Sequence, residues 1–255
     1  MRWNLEHILK KNGGSILLED QDLIVINKPP GLLVLPDRYN RTLVHLYGLL
    51  KDAMGAIFIV HRIDRETSGI VLFAKTTDMH ASLNTAFEQR HVEKIYKAIV
   101  IGSPSSESGC IDLPLVEDRR DTGKMRVNEK KGKEARTDYN VVERFHGYAL
   151  IDARPQTGRT HQIRVHLSAI GLPILADPLY SRTGWFYLSS IKQNYKSSGE
   201  EKPLIARTAL HASSLAFTHP WTGEKIRIEA PLPRDMDAGL RALKKYKAIE
   251  NSLER

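Results

Sequence analysis

The stretch His61-Arg62-Ile63-Asp64-Arg65-Glu66-Thr67-Ser68-Gly69 lies between two short apolar runs, residues 57–60 and 70–74. Both runs read as strands. The charged segment between them reads as a loop held at each end by a buried element, which is where rigid scaffolds carry their chemistry. The competing reading of the same residues is a solvated turn whose charges pair with one another.

Working outward from this loop, further short apolar runs read as strands at residues 16–18, 23–26, 95–101, 135–144, 148–153, 209–217 and 225–230. Asn12-Gly13-Gly14 and Thr222-Gly223 supply turn residues between some of them. Helical spacing is found at 42–51, 78–90 and 235–249, and in the second of these Met79, Leu83, Ala86 and Phe87 share a face. Asp78 near its start is a favourable charge for a helix N-terminus. Most strand runs follow one another without an intervening helix. That order predicts an α+β fold with a mixed, largely antiparallel sheet flanked by helices and loops, in one domain over residues 1–255 with 236–255 as a C-terminal helix and tail. Residues 102–109 and 181–202 read as exposed loops, and there is no internal repeat.

The chain has 255 residues, 41% of them hydrophobic, with 38 Lys plus Arg against 30 Asp plus Glu, a net charge of +8. A pI near 9.5 favours an anionic partner, and nucleic acid is the commonest. The single cysteine, Cys110, excludes a disulfide within the chain and fits a reducing compartment. The N-terminal residues MRWNLEHILKKNGG show no apolar signal segment, and no apolar run approaches the roughly 20 residues needed to span a bilayer. A soluble, cytoplasmic protein is expected.

A second dense segment runs from Arg154 to Leu167 and packs three arginines and two histidines into fourteen residues. If Thr160 caps a helix, Ile163, Leu167 and Ile170 share a face; the alternation of Ile163, Val165 and Leu167 suits a strand equally well. A helix start here could receive a phosphate, or could simply be a basic surface. His161 and His166 are five apart and face different ways on a helix, and neither HExxH nor a paired CxxC is present, so no metal site is expected. Walker A, GxGxxG and GxSxG are absent as well, and nothing in the spacing favours a Ser/His/Asp triad. What is left is a carboxylate among arginines.

HRIDRETSGIVLFAK (61–75) closely resembles the catalytic signature of the RluA-like pseudouridine synthases. EKIYKAIVIG (93–102) resembles the family's tyrosine-bearing strand, and TGRTHQIRVHLSAIGLPILADPLY (157–180) its other strong motif. NKPPGLLVLP (27–36), GKEARTDYNV (132–141) and ALHASSLAFTHPWTGE (209–224) are supporting matches, collinear over about residues 20–235. The departures are Ile63, where leucine is usual, and Ile163. Only about 20 residues precede the matching region, so the N-terminal S4 domain of many relatives is not expected, and residues 181–204 look longer than the family minimum.

The resemblance implies the pseudouridine synthase catalytic fold and an isomerase that needs neither cofactor nor metal. Its partner would be structured RNA, large-subunit rRNA ahead of tRNA, and it would act as a monomer. Asp64 is implied as the nucleophile or base, Arg164 as the arginine that pairs with it, and Tyr96 as the active-site tyrosine. Arg62 is implied to fill the gap left by a flipped base, with His61, Arg159 and His161 as further RNA-binding residues. Two other readings remain open: a non-catalytic RNA-binding factor on the same fold, and an N-glycosidase that releases free base.

Overall fold

The structure is a computed structural model, which describes residues 2–249 except 38, 122 and 198. The chain divides into two compact units, one formed by Met1–Ile95 with His211–Pro231 and the other by Tyr96–Leu210 with Leu232–Arg255.

In the first unit, β1 (Ser15–Glu19), β2 (Leu23–Lys28), β4 (Ser68–Ala74) and β11 (Leu210–Thr218) lie side by side in that order, with β3 (Phe58–Ile59) on β4 and β12 (Lys225–Glu229) on β11. Every residue of β2 and β4 is buried, which is why these segments read as unbroken apolar runs rather than alternating ones. All pairings are antiparallel except that of β4 with β11, where His211 faces Ser68 and Ala212 faces Gly69. Gly69 is required at this junction. Its φ is +108°, and a Cβ there would meet the Ala212 carbonyl oxygen at 2.2 Å. Beside it, Ser68 Oγ and His211 Nδ1 are 2.9 Å apart, both groups fully enclosed.

Helix α2 (Leu46–Met54) starts later than the predicted residue 42, because the His45 ring accepts the Gly48 N–H and caps it there. Helix α3 (Thr77–Glu88) begins as expected. Thr76 caps it, Asp78 lies in the first turn, and Met79 and Leu83 are buried. Helix α1 (Arg2–Lys11) falls where no helix was predicted; it buries Leu5 and Leu9, one helical turn apart.

In the second unit the strand order is β5 (Glu93–Ile101, which begins in the first unit), β10 (Tyr148–Pro155), β9 (Arg136–Phe145) and β6 (Ser108–Asp112), all antiparallel among themselves. Strand β6 corrects part of the exposed loop predicted at 102–109. It is an edge strand, so its outer residues can be polar and its composition resembles a loop. A separate hairpin, β7 (Leu115–Glu117) and β8 (Met125–Val127), was not predicted, its strands being three residues each. Residues 181–202 also differ from expectation. Phe186 bridges to Ile205, and both are buried in the core together with Ile191, so this segment is anchored at several points. Helix α5 (Arg234–Tyr246) is shorter than predicted, because Ala248 turns to bridge Phe145; residues 250–255 of the expected tail lie outside the described residues.

Helix α4 (Gln162–Ala169) settles the helix-or-strand ambiguity of 160–170 in favour of a helix. Thr160 is not its cap. That place is taken by His161, which adopts a left-handed backbone (φ 54°) and makes no capping side-chain bond. Ile163 and Leu167 are buried as expected, but Ile170 ends the helix and is exposed.

Candidate active site

The loop between β3 and β4 is held from beneath by two neighbouring segments. Lys28 is fully buried, and its Nζ donates to the carbonyls of Pro29 (2.9 Å), Leu32 (2.8 Å) and Arg65 (3.0 Å). The Gly31 N–H also donates to the Arg65 carbonyl, and Arg65 Nε donates back to the Gly31 carbonyl. These bonds fix the chain on the far side of Asp64 to the turn at Pro29–Gly31. Within the loop, the Thr67 N–H donates to the Asp64 carbonyl.

His61 anchors the other end. Its Nε2 accepts the Leu72 N–H at 3.0 Å, and its ring stacks on Phe87 with centroids 5.0 Å apart. Burial, with the Lys94 charge adding to it, pushes the His61 pKa down to about 3, so the ring is neutral at physiological pH. Ile63 and Thr67 point inward. Arg65 and Glu66 pair with each other at 3.8 Å and are both substantially exposed, so for these two the solvated-turn reading holds. Arg62 is exposed, and among the described residues it forms no hydrogen bond or ion pair. Asp64, two residues on, is half-buried.

In the second unit, α4 carries Arg164, which is 6% exposed. Its Nε and Nη2 bind the two oxygens of Asp177 at 2.6 and 2.8 Å. This is the bidentate geometry in which an arginine is most firmly oriented. Asp177 is fully buried and also accepts the Leu179 and Tyr180 N–H groups. The guanidinium lies 5.0 Å from the Tyr180 ring centroid. The Tyr180 hydroxyl accepts the Met125 N–H and lies 2.9 Å from His161 Nδ1. Arg164, Asp177, Tyr180 and His161 therefore form one connected group, tied through Met125 to the β7–β8 hairpin.

The segment before α4 is organised by Gln162. Its Oε1 accepts from Thr157 Oγ1 and the Arg159 N–H, while its Nε2 donates to the Arg136 carbonyl and Thr137 Oγ1. His166 bonds Thr137 Oγ1 and the Leu113 carbonyl, and burial lowers its pKa. A basic surface helix start is thus incorrect for most of this segment: Gln162, Arg164 and His166 are all buried. Arg159 does fit that description, being exposed with its Nε on the Glu134 carbonyl. Tyr96 stands on β5 opposite Ala153 of β10, partly buried against the core of its unit.

Asp177, Tyr180 and Lys28 received no role from the sequence. For Asp177 a signal was available, since it is the one acid in residues 157–180 and a buried arginine needs a carboxylate. For Lys28 there was none, because its partners are backbone carbonyls, which no side-chain pattern reveals. Among the described residues, no cluster of three or more His, Cys, Asp or Glu is arranged to hold a metal ion, and no helix is long and apolar enough to cross a membrane.

The family model described as RNA pseudouridylate synthase matches residues 22–169, a span that contains Arg62, Asp64, Tyr96 and Arg164. The chain is 37% identical over 239 residues to an "Uncharacterized RNA pseudouridine synthase YlyB" of Bacillus subtilis, covering 91% of this chain and 73% of that one. It is 38% identical over 232 residues to the "Ribosomal large subunit pseudouridine synthase D" of Zymomonas mobilis, covering 87% and 70% respectively. Among solved structures, "Human RNA Pseudouridylate Synthase Domain Containing 4" matches with a TM-score of 0.73 and 27% identity, over 98% of this chain and 100% of that one.

Proposed function

Because this chain belongs to the RNA pseudouridylate synthase family, and so is an isomerase that forms pseudouridine in RNA, we propose that it acts on flipped-out uridines of structured RNA, with Asp64 at the reacting sugar. Large-subunit rRNA is the substrate we favour over tRNA. The support for that choice is the name of several relatives, ribosomal large subunit pseudouridine synthase D.

The reaction breaks the C1′–N1 bond, turns the uracil and rejoins it through C5. The proton released from C5 as the C5–C1′ bond forms is balanced by one taken up at N1, so the product is an isomer and no redox change occurs. Two routes give Asp64 the central role: attack on C1′, or removal of the C2′ proton. In either route the carboxylate must be ionised. Arg164 is proposed to hold it in that form, since a neighbouring guanidinium favours the charged state. A guanidinium has five N–H donors, so Asp177 can orient Arg164 while a second carboxylate is served as well. Tyr96 is proposed to stack on the uracil and assist proton movement at C5.

Reaching the sugar requires the uridine to leave its stack. Arg62 is proposed to occupy the vacated space, where a planar guanidinium can both stack and hydrogen-bond. Arg159 and His161 would contact the RNA nearby, and His61 would contribute by supporting the loop from beneath. The observation that carries this reading is the loop itself: Arg62, exposed and without a partner among the described residues, stands two residues from Asp64 on a segment pinned at both ends. Pseudouridine mapping of total RNA from cells with and without the gene tests the substrate. Loss of a large-subunit rRNA site is expected, and loss confined to tRNA would overturn the rRNA assignment.

A further inference from the structure

We infer that Lys94 is a phosphate-binding residue for the RNA substrate, placed beside the catalytic loop. The inference rests on RNA being the substrate. Lys94 is the second residue of β5, and its Nζ lies 5.9 Å from the centroid of the Phe87 ring. That ring is also the one on which His61, near the start of the loop, is stacked. The Lys94 charge is felt at His61, so the two groups are near neighbours.

Among the described residues, Lys94 forms no hydrogen bond and no ion pair. Three other partly or fully buried lysines have hydrogen-bond or ion-pair partners, whereas Lys192, like Lys94, lies only over aromatic rings among the described residues. Lys75 holds Glu19 at 3.3 Å, Lys97 holds Asp152 at 2.9 Å, and buried Lys28 holds three carbonyls. The acid next to Lys94, Glu93, is taken by Arg227 at 3.0 Å. Lys94 is thus a partly desolvated cation without a compensating anion, and burial holds its pKa below the usual lysine range. Such a group is unfavourable in the free protein unless the function brings it an anion. A cation over an aromatic ring gains some attraction, but less than a charge-assisted bond to a phosphate oxygen. A phosphodiester beside the target nucleotide is an anion that arrives only with the substrate.

The test uses an rRNA fragment in which the wild-type enzyme forms pseudouridine; if no such fragment exists, the substrate assignment fails and Lys94 is not at issue. Equilibrium binding of that fragment is measured over a range of salt for wild type, Lys94→Gln and Lys94→Arg. One lost phosphate contact lowers the slope of log affinity against log salt by roughly 0.7 to 0.9. Lys94→Gln is expected to show that decrease together with weaker binding at low salt, and Lys94→Arg to restore both. An unchanged slope in Lys94→Gln overturns the inference, even if its melting temperature falls. So does an equal loss of slope in both variants, because arginine keeps the charge.

Discussion

At the scale of single residues, two arginines of this chain differ in what surrounds them. Arg62 is exposed and, among the described residues, has no hydrogen-bond or ion-pair partner, whereas Arg164 is buried against Asp177 and Tyr180. Arg62→Ala should therefore fold normally and lose activity on a folded stem-loop, where opening the stack costs a few kcal/mol, but lose less on a short single strand. Arg164→Ala should slow the reaction on both substrates and also destabilise the protein. Single-turnover rates at saturating enzyme separate the two; equal losses on both substrates would sink this division of roles. Asp64→Asn, which keeps shape and removes charge, should abolish isomerisation while leaving RNA binding and thermal stability nearly unchanged. Residual turnover within about tenfold of wild type would show that the carboxylate is dispensable.

His61 gives a pH signature. Its folded pKa of about 3 lies below the ordinary value near 6.5, so between these pH values the unfolded chain binds the extra proton. Stability from this group is complete above about pH 6.5 and is lost as pH falls toward 3, at no more than about 1.4 kcal/mol per pH unit. His166, also lowered by burial, acts in the same direction. Denaturant midpoints measured from pH 7 to 4 should fall, and His61→Gln, which retains an acceptor for the Leu72 N–H, should flatten the decline.

Among the elements, the parallel contact of β4 with β11 in the first unit and the seating of α4 in the second are where single substitutions should cost most. At the first, Gly69→Ala places a methyl group against the Ala212 carbonyl in a conformation alanine avoids; a loss on the order of 3 kcal/mol or more is expected by denaturant unfolding. At the second, Asp177→Asn removes the charge that Arg164 is buried against. Breaking such a pair costs roughly 3–5 kcal/mol, so a large drop in melting temperature should accompany any loss of rate. Tyr180→Phe is milder. It keeps the ring beside Arg164 and loses the hydroxyl contacts to Met125 and His161, at about 1 kcal/mol.

For the molecule as a whole, charge is the dominant property. Of the net +8, residues 119–133 contribute seven cations against two acids, a net +5 concentrated around the β7–β8 hairpin. RNA binding should accordingly weaken steeply with added salt. Pretreating the enzyme with a chelator and desalting it should leave activity intact, since no ligand cluster is found among the described residues. Activity lost and then restored specifically by Zn²⁺ would show that a metal is needed.

Local pattern was sufficient for much of this molecule. The strands β2, β4, β5, β9, β10 and β11 were legible because burial on one or both faces leaves apolar runs in the chain, and α3 because its buried face repeats with helical spacing. The collinear motifs around Asp64, Tyr96 and Arg164 pointed to the family, and so to an RNA isomerase, from sequence alone. Three things depended on tertiary structure. Strand β6 is held on the sheet edge by β9, which comes well after it in the chain, and β7 and β8 are only three residues each, so their own residues carry little signal. The start of α4 is decided by Gln162 reaching Thr157 and Thr137, not by the threonine that sequence would choose as a cap. Lys28 on three carbonyls, in the first unit, and Asp177 on Arg164, in the second, are contacts between groups whose pairing in space follows from the path of the backbone, and no linear pattern encodes that path.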